Sequence, residues 1–579
     1  MILLLACRCG APADTGEHRP REPCADHRPE KRVLWGDTHI HTALSFDAYA
    51  YEVRAWPEDA WRFARGEEVD LGFDTRQLEV PLDFAAITDH AEYLAEIPAC
   101  VEMGSDAYDT ETCTDYRDSS TSRAVQLFGL KMSMEDPDRF DDICSVIDCE
   151  LEARRSWQLV QDAAEEAYDR SSACEFTSFV AYEWSGTPNV ANLHRNVIFA
   201  NWKVPEQPTT YFEVQTAEGL WDALERDCLE GRAGCGVLAI PHNGNTSNGT
   251  LFSFDGSADD AARRARFEPL VEIYQHKGDS ECRMGFFGAD EFCGFEKVRL
   301  DEDVEDCGDE TGSGGLTYAG CQADRDFLRG MLALGLEIDE DLGENPFRVG
   351  VLAATDTHSA TPGAVSEERY AGHLGSAEDE AEERLSLPRL NPGGVIDSGG
   401  GLMAVWAEDN SREAIFAAME RREVYGTSGP RIELAVTSAD GTPMGGVLPS
   451  GAEATFTIRA VADEVPLERV QVIRGWLSEA GEAQLEVLDV AGSAVEDPDL
   501  ETCEPSPGGS ELLELTWTDS QWAGEPAFWY VRVLESPTCR WSWRDCLGFD
   551  EEARPETCDD ESVPRIIRER AWSSPIWAG

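Results

Sequence analysis

Six short apolar runs recur between Val33 and His358, and each closes on a polar residue of metal-ligand type: WGDTHIH, FAAITDH, FVAYEW, VLAIPHNG, VEIYQH and VLAATDTH. Runs of this length, rich in Val, Ile, Phe and Tyr and bounded by turn residues, predict buried strands. Two helices stand out among them. Leu151, Trp157, Leu159, Val160 and Ala164 recur at helical spacing over residues 150–170. Asn410 or Ser411 caps a helix that runs through Arg422, with Ile415, Phe416 and Met419 as its apolar face. Beyond Gly429-Pro430 the pattern shifts to alternating runs: RIELAVT, ATFTIRAV, VQVIRGW, AQLEVLDV, LLELTWT and FWYVRVLE. Turn residues separate them, which predicts an all-β sandwich.

Between the periodic runs lie segments without periodicity. Residues 8–31 are rich in Pro, Arg and Glu and read as a linker. Residues 100–149 hold four cysteines among many Asp and Ser residues, the pattern of an inserted, disulfide-pinned loop. Residues 278–325 form a second Gly-, Asp- and Cys-rich insertion, and residues 364–400 an acidic, then Pro/Gly-rich surface excursion. A chain of 579 residues exceeds one ordinary domain. The expected division is a terminal segment over 1–31, a catalytic body over 32–430 and a β-sandwich over 431–579.

The strand-end residues carry the chemistry. Imidazole and carboxylate are the ligands of catalytic zinc, manganese and iron. A lone histidine after a strand is more often a core or rim residue, but six runs ending this way read as one metal centre at the converging ends of parallel strands. His39 and His41 are two apart, so both rings face one side of an extended chain. Asp356 and His358 repeat that spacing. Asp89 with His90, Glu183, His242 and His276 complete the set.

The ordered set of HxH, TDH, a strand-end Glu, PHN and DxH resembles the PHP (polymerase and histidinol phosphatase) superfamily. The longer strings WGDTHIHTALSFDA, YEWSGTPNVANLHRNVIFAN, IPHNGNTSNG, ATDTHSATPGAV and VWAEDNSREAIFAAMERREVYGTSGPRI are similar to the DUF3604 family, from about Val33 to Ile432. The resemblance implies an α/β fold, a distorted (β/α)7 barrel with loop insertions, followed by the sandwich. It implies two or three divalent ions, Zn, Mn or Fe. His39, His41, Glu183 and Asp356 would hold one. Glu183 would bridge to a second, held by His242 and His276. His90, His358 and Asp47 would hold a third; Asp47 stands where many PHP proteins have histidine. His276 is alternatively part of a substrate-binding segment with Lys277.

Other residues admit two readings each. Arg195 in LHRNV either forks onto phosphate oxygens or forms a strand-end ion pair. His194 is a substrate contact or proton donor, or a residue that orients a ligand. Asn243, Asn245 and Asn248 offer amides to a ligand or form turns. Lys277 contacts substrate or is solvated. The tryptophans 517, 522, 529, 541, 543, 572 and 577 either stack on sugars or, as aromatics more commonly do, pack inside.

The net charge of −65, from 113 acidic against 48 basic residues, repels nucleic-acid backbones and anionic lipid. No nucleic-acid partner is expected, and a small phosphorylated molecule is the expected substrate, since bound ions dominate the local field. Leu4-Leu5-Ala6-Cys7 resembles a lipobox behind a truncated signal, which makes a lipid anchor the expected membrane link. Eighteen cysteines without a CxxC suit disulfides and export to the periplasm or cell surface. The close pairs are Cys100/Cys113, Cys144/Cys149, Cys228/Cys235, Cys282/Cys293, Cys307/Cys321 and Cys539/Cys546. The function expected is hydrolysis by a metal-bound hydroxide, foremost of a small phosphomonoester or phosphodiester. The alternatives are hydrolysis of a carboxylic ester, amide or lactone, and a surface binding protein with a structural metal cluster.

Overall fold

The computed structural model describes residues 21–134, 136–299, 304–387 and 393–579; the lipobox-like segment lies outside them. Strands β1 (Arg32–Asp37), β2 (Phe84–Ala86) and β3 (Thr177–Phe179) run parallel. Strands β4 (Ala181–Trp184), β5 (Arg195–Phe199) and β6 (Val237–Pro241) form an antiparallel trio. Strands β7 (Leu270–Gln275) and β8 (Gly350–Ala353) pair in parallel. Most of these strands are buried along their whole length, which explains their unbroken apolar runs.

Strand β9 (Leu402–Ala407) runs antiparallel to β1, and β10 (Val424–Thr427) follows it. Among the described residues no ladder joins β6 to β7, so the hydrogen-bonded strands do not close into a barrel. The fold is mixed α/β, with antiparallel strands β5 and β9 placed where a regular barrel would have parallel ones.

All six C-terminal runs are strands: β11 (Glu433–Ser438), β12 (Thr455–Val461), β13 (Leu467–Leu477), β14 (Ala483–Gly492), β15 (Leu512–Thr518) and β16 (Ala527–Glu535). β11, β12 and β15 form one sheet. The others join a ten-stranded sheet through β17 (Arg570–Ser573), which pairs with β10, Tyr425 opposite Ser573. One sheet therefore runs across residue 430. Trp529, Trp541, Trp572 and Trp577 are buried, as packing residues are.

α1 (Thr121–Met132) lies inside the segment read as a loop. Its Ala124, Phe128 and Met132 repeat at helical spacing beneath the polar composition, and Phe128 packs with Phe46, Tyr93 and Phe140. α2 (Cys149–Ala167) starts at Asp148, whose side chain accepts from Leu151 N. Its buried face is Ala153, Trp157, Val160 and Ala164, while Leu151 and Leu159 are exposed. α3 (Arg412–Glu420) is capped by Ser411, whose Oγ accepts from Ala414 N. Asn410 instead donates its amide to Asp83 O. Residues 364–400 are also no surface excursion throughout: His373, Glu378 and Asp397 are buried.

Eight disulfides engage sixteen cysteines; Cys7 and Cys9 lie outside the described residues. Five of the expected close pairs form. Cys539 and Cys546 do not pair. Cys539 joins Cys503, and Cys546, on a short helix, joins Cys558. Cys24 joins Cys174 across 150 residues, fixing the end of the supposed linker to the body. This density is compatible with an oxidising extracellular setting. Among the described residues no helix is long and apolar enough to cross a membrane. Thiol titration of the unfolded, unreduced protein should find at most about two free thiols. A count near eighteen would remove the disulfide framework.

Candidate metal centre

The exits of the strands are tied side by side through the backbone. His276 N donates to Thr355 O at 3.0 Å, His41 N to Thr357 O at 2.8 Å, Thr88 N to Ile40 O at 2.9 Å and Glu183 N to Asp89 O at 3.1 Å. This sets the exits of β7, β8, β1, β2 and β4 in an arc, with β5 and β6 following by ladder. Asp356 and Asn243 turn in with φ of 53° and 54°, a left-handed conformation that costs a non-glycine residue energy and clusters at functional sites.

The side chains converge. Asp356 Oδ1 lies 3.2 Å from His39 Nε2 and 3.1 Å from His41 Nε2. Glu183 Oε2 lies 3.3 Å from His41 Nε2, 3.7 Å from His39 Nε2 and 3.2 Å from His90 Nδ1. Its Oε1 faces His242 Nε2 at 3.4 Å. Asp47 Oδ2 stands between His90 Nε2 at 3.1 Å and His358 Nε2 at 3.0 Å. His276 Nε2 approaches Asp356 Oδ2 at 3.5 Å. Two ligands each about 2.1 Å from a tetrahedral ion stand about 3.4 Å apart, so these spacings fit shared ions. His276 groups with Asp356 and His358, and His242 with Glu183 and His39.

Outer partners aim the rings. His39 Nδ1 faces Glu272 at 3.1 Å, His276 Nδ1 faces Asp397 at 2.9 Å and His358 Nδ1 faces the Asp356 carbonyl at 2.9 Å. His41 Nδ1 meets Ser45 Oγ at 2.9 Å, and that hydroxyl donates to Asp89. Asp89 therefore orients rather than joins the cluster, accepting also from Thr42. Such partners fix the tautomer and direction of metal-binding histidines. The inward atoms His39 Nε2, His41 Nε2, His276 Nε2 and Asp356 Oδ1 are buried and without a hydrogen bond. Each such atom costs about 1–3 kcal/mol, and a cation satisfies all of them. The donor set fits divalent ions of borderline softness.

The charges fit too. Burial alone would raise the Glu183 and Asp356 carboxyls. His90 and His194 around Glu183, and His39 and Lys277 around Asp356, hold both well below the usual range. Burial, with His39 nearby, lowers His242 to about 3, which keeps it neutral and able to ligate. Against burial, Glu183 and Asp47 lift His90 to about 10. Metal binding there would release a proton.

The remaining expected residues divide. His194 lines the pocket, with Nδ1 2.5 Å from Glu183 Oε1 and Nε2 3.2 Å from Thr187 Oγ1. Lys277 lines it as well, its ammonium on Asp356 Oδ2. Asn243 lines it with its Nδ2 unpaired. Asn245 and Asn248 donate to the distant backbone carbonyls of Lys277, Ala319 and Cys321. Arg195 does not reach the pocket. Its Nε donates to Glu268 at 2.9 Å and it is fully buried. Alternation on β5 turns Asn196 toward Thr38 O and Arg195 to the opposite face. Arg195→Ala should therefore cost about 3–5 kcal/mol of stability with metal content unchanged. Denaturant unfolding and metal analysis check this; lost metal at full stability would put Arg195 in the cluster.

Sequence reading passed over Glu272, Gln275 and Asp397. Gln275 Nε2 donates to Asp356 Oδ2 at 2.5 Å and to Asn243 Oδ1 at 2.6 Å. Glu272 was visible as an acid inside the apolar run VEIYQH. The cavity over the cluster measures about 200 Å³. The sequence model of the family described as "Protein of unknown function (DUF3604)" matches residues 28–579. No curated protein and no solved structure matches the chain.

Proposed function

The chain belongs to the DUF3604 family, and from its cluster we propose that it is a metal-dependent hydrolase, a phosphoesterase acting on a small ester. The observation that carries this is the set of buried inward atoms without a hydrogen bond, on His39 and Asp356 in the pocket lining and on His41 and His276 beside it. Two or three divalent ions bound there would act as Lewis acids and bring a coordinated water's pKa toward neutrality. On this reading His39, His41 and Asp356 hold one position and His242 a second, with Glu183 serving both. Asp47, His90 and His358 hold a third.

The protein's own groups do the rest. Glu272, Asp397 and Ser45 keep the imidazoles in register. Lys277 and Gln275 brace Asp356. His194, in the pocket lining, is placed to give a proton from Nε2 to a departing oxygen. The order of strand exits supports a distorted (β/α)7 barrel of the PHP type as the underlying architecture, and the disulfides support export. Hydrolysis of a carboxylic ester, amide or lactone is the second reading, favoured by the commitment of Arg195 to Glu268. Protein loaded with Zn or Mn should cleave 4-nitrophenyl phosphate esters and lose this on chelation. Cleavage of carboxylic esters alone would select the second reading. No turnover of either would favour a binding protein with a structural cluster.

A further inference from the structure

The cluster lies beneath an apolar wall. α1 presents Val125, Gly129 and Met132 to the pocket at helical spacing, with Leu130 at its rim. Leu316 and Leu374 face it from other segments. Leu130 is 62% exposed and open to a ligand. The wall is held in place. Phe128, one turn before Met132, anchors α1 against Phe46 and Tyr93, and the disulfides Cys100–Cys113 and Cys144–Cys149 pin the chain before and after it.

The pocket's cations are already used. Among the described residues Lys277 is the only lysine or arginine that lines it, and its ammonium sits on Asp356. Beyond what bound ions neutralise, a phosphomonoester dianion gains from free guanidinium or ammonium donors. A monoanion with an apolar arm does not call for them.

Resting on the hydrolase reading, we infer that the site takes an ester carrying at most one negative charge and an apolar organic group that lies along α1, namely a phosphodiester with a hydrophobic substituent. In the reaction water adds to phosphorus, the P–O bond to the leaving group breaks with its electron pair going to the departing oxygen, and one proton of the water ends on that oxygen, giving an alcohol and a phosphomonoester. The apolar group contributes binding without changing the chemistry.

The test uses alkyl 4-nitrophenyl phosphates with methyl to hexyl chains, and 4-nitrophenyl phosphate for comparison, on the metal-loaded full chain. Each methylene should raise kcat/KM about fourfold over the first few carbons, from about 0.8 kcal/mol per buried CH₂. Leu130→Asp, at an exposed position of the wall, should flatten that rise. A Cβ at Gly129 meets nothing within 4 Å, so Gly129→Leu should fold and cut the hexyl ester's rate about tenfold or more by filling the pocket. Binding of alkyl(methyl)phosphinates, monoanions with no scissile ester, measured by calorimetry, gives a readout without turnover. Turnover that ignores chain length, or that prefers the monoester, would overturn this inference and leave the hydrolase reading standing. No turnover with phosphinate affinity that rises with chain length would sustain the apolar site and overturn the hydrolase reading. Neither turnover nor binding would overturn both.

Discussion

Asp356→Ala should strip bound metal and lower kcat/KM by on the order of 10³-fold or more, about 4 kcal/mol of transition-state stabilisation. Asp356 is the residue on which most of the cluster depends. Its Oδ1 faces His39 and His41, and its Oδ2 faces His276, Lys277 and Gln275. Truncation would leave those imidazoles and the Lys277 ammonium buried around an empty carboxylate position, so stability should also fall. His41→Ala should behave alike, since His41 Nε2 meets both Asp356 and Glu183. Glu272→Gln and Asp397→Asn act through a ring's far nitrogen, and metal affinity should drop only about 10–100-fold. Metal analysis after dialysis, with esterase rates on the same samples, checks the series. Equal losses in all four variants would contradict the distinction between ligands and orienting partners.

Glu281→Ala should cost about 3–5 kcal/mol, the penalty for breaking a buried ion pair. Glu281 is fully buried and accepts from Arg329 at 2.7 Å, Tyr530 at 2.7 Å, Arg532 at 3.0 Å and Trp572 at 2.8 Å. Burial opposes its charge, but Arg532 and Arg329 hold the carboxyl well below the usual range. Glu281 sits in the 278–325 insertion, while Tyr530, Arg532 and Trp572 sit on β16 and β17. The contact therefore fastens the body to the C-terminal strands, as does the ladder between β10 and β17. Urea unfolding should show one cooperative transition in the parent and a lower midpoint in Glu281→Ala. An unchanged midpoint would mean the two parts are not energetically joined there.

The cluster was legible because its signal is local. On an extended chain a spacing of two puts His39 beside His41 and Asp356 beside His358, and a ligand at a strand's end needs no long-range information. The same alternation, applied to β5, would have turned Arg195 away from the site once His194 faced it. Asp397 was hidden because it lies in a Pro/Gly-rich stretch with no period, and reaches His276 through a fold that composition does not encode. The helix α1 was hidden by its surroundings: the Asp and Ser residues of 100–149 masked the spacing of Ala124, Phe128 and Met132. Disulfides between neighbours in sequence were readable. Cys24–Cys174 and Cys503–Cys539 join residues 150 and 36 apart, which only the packed chain brings together. The ten-stranded sheet crosses Gly429-Pro430 for the same reason: β17 is distant in sequence and adjacent in space.

The most direct test of a hydrolytic metal centre is an anomalous-difference map from crystals of the protein loaded with Zn or Mn. Two or three peaks are expected, each about 2.0–2.3 Å from its nitrogen and oxygen ligands, the first among His39, His41 and Asp356, a second against Glu183 and His242. At least one ion should have a coordination position open to the pocket beneath α1. No peak at these residues, or ions each closed by four protein ligands, would contradict the account.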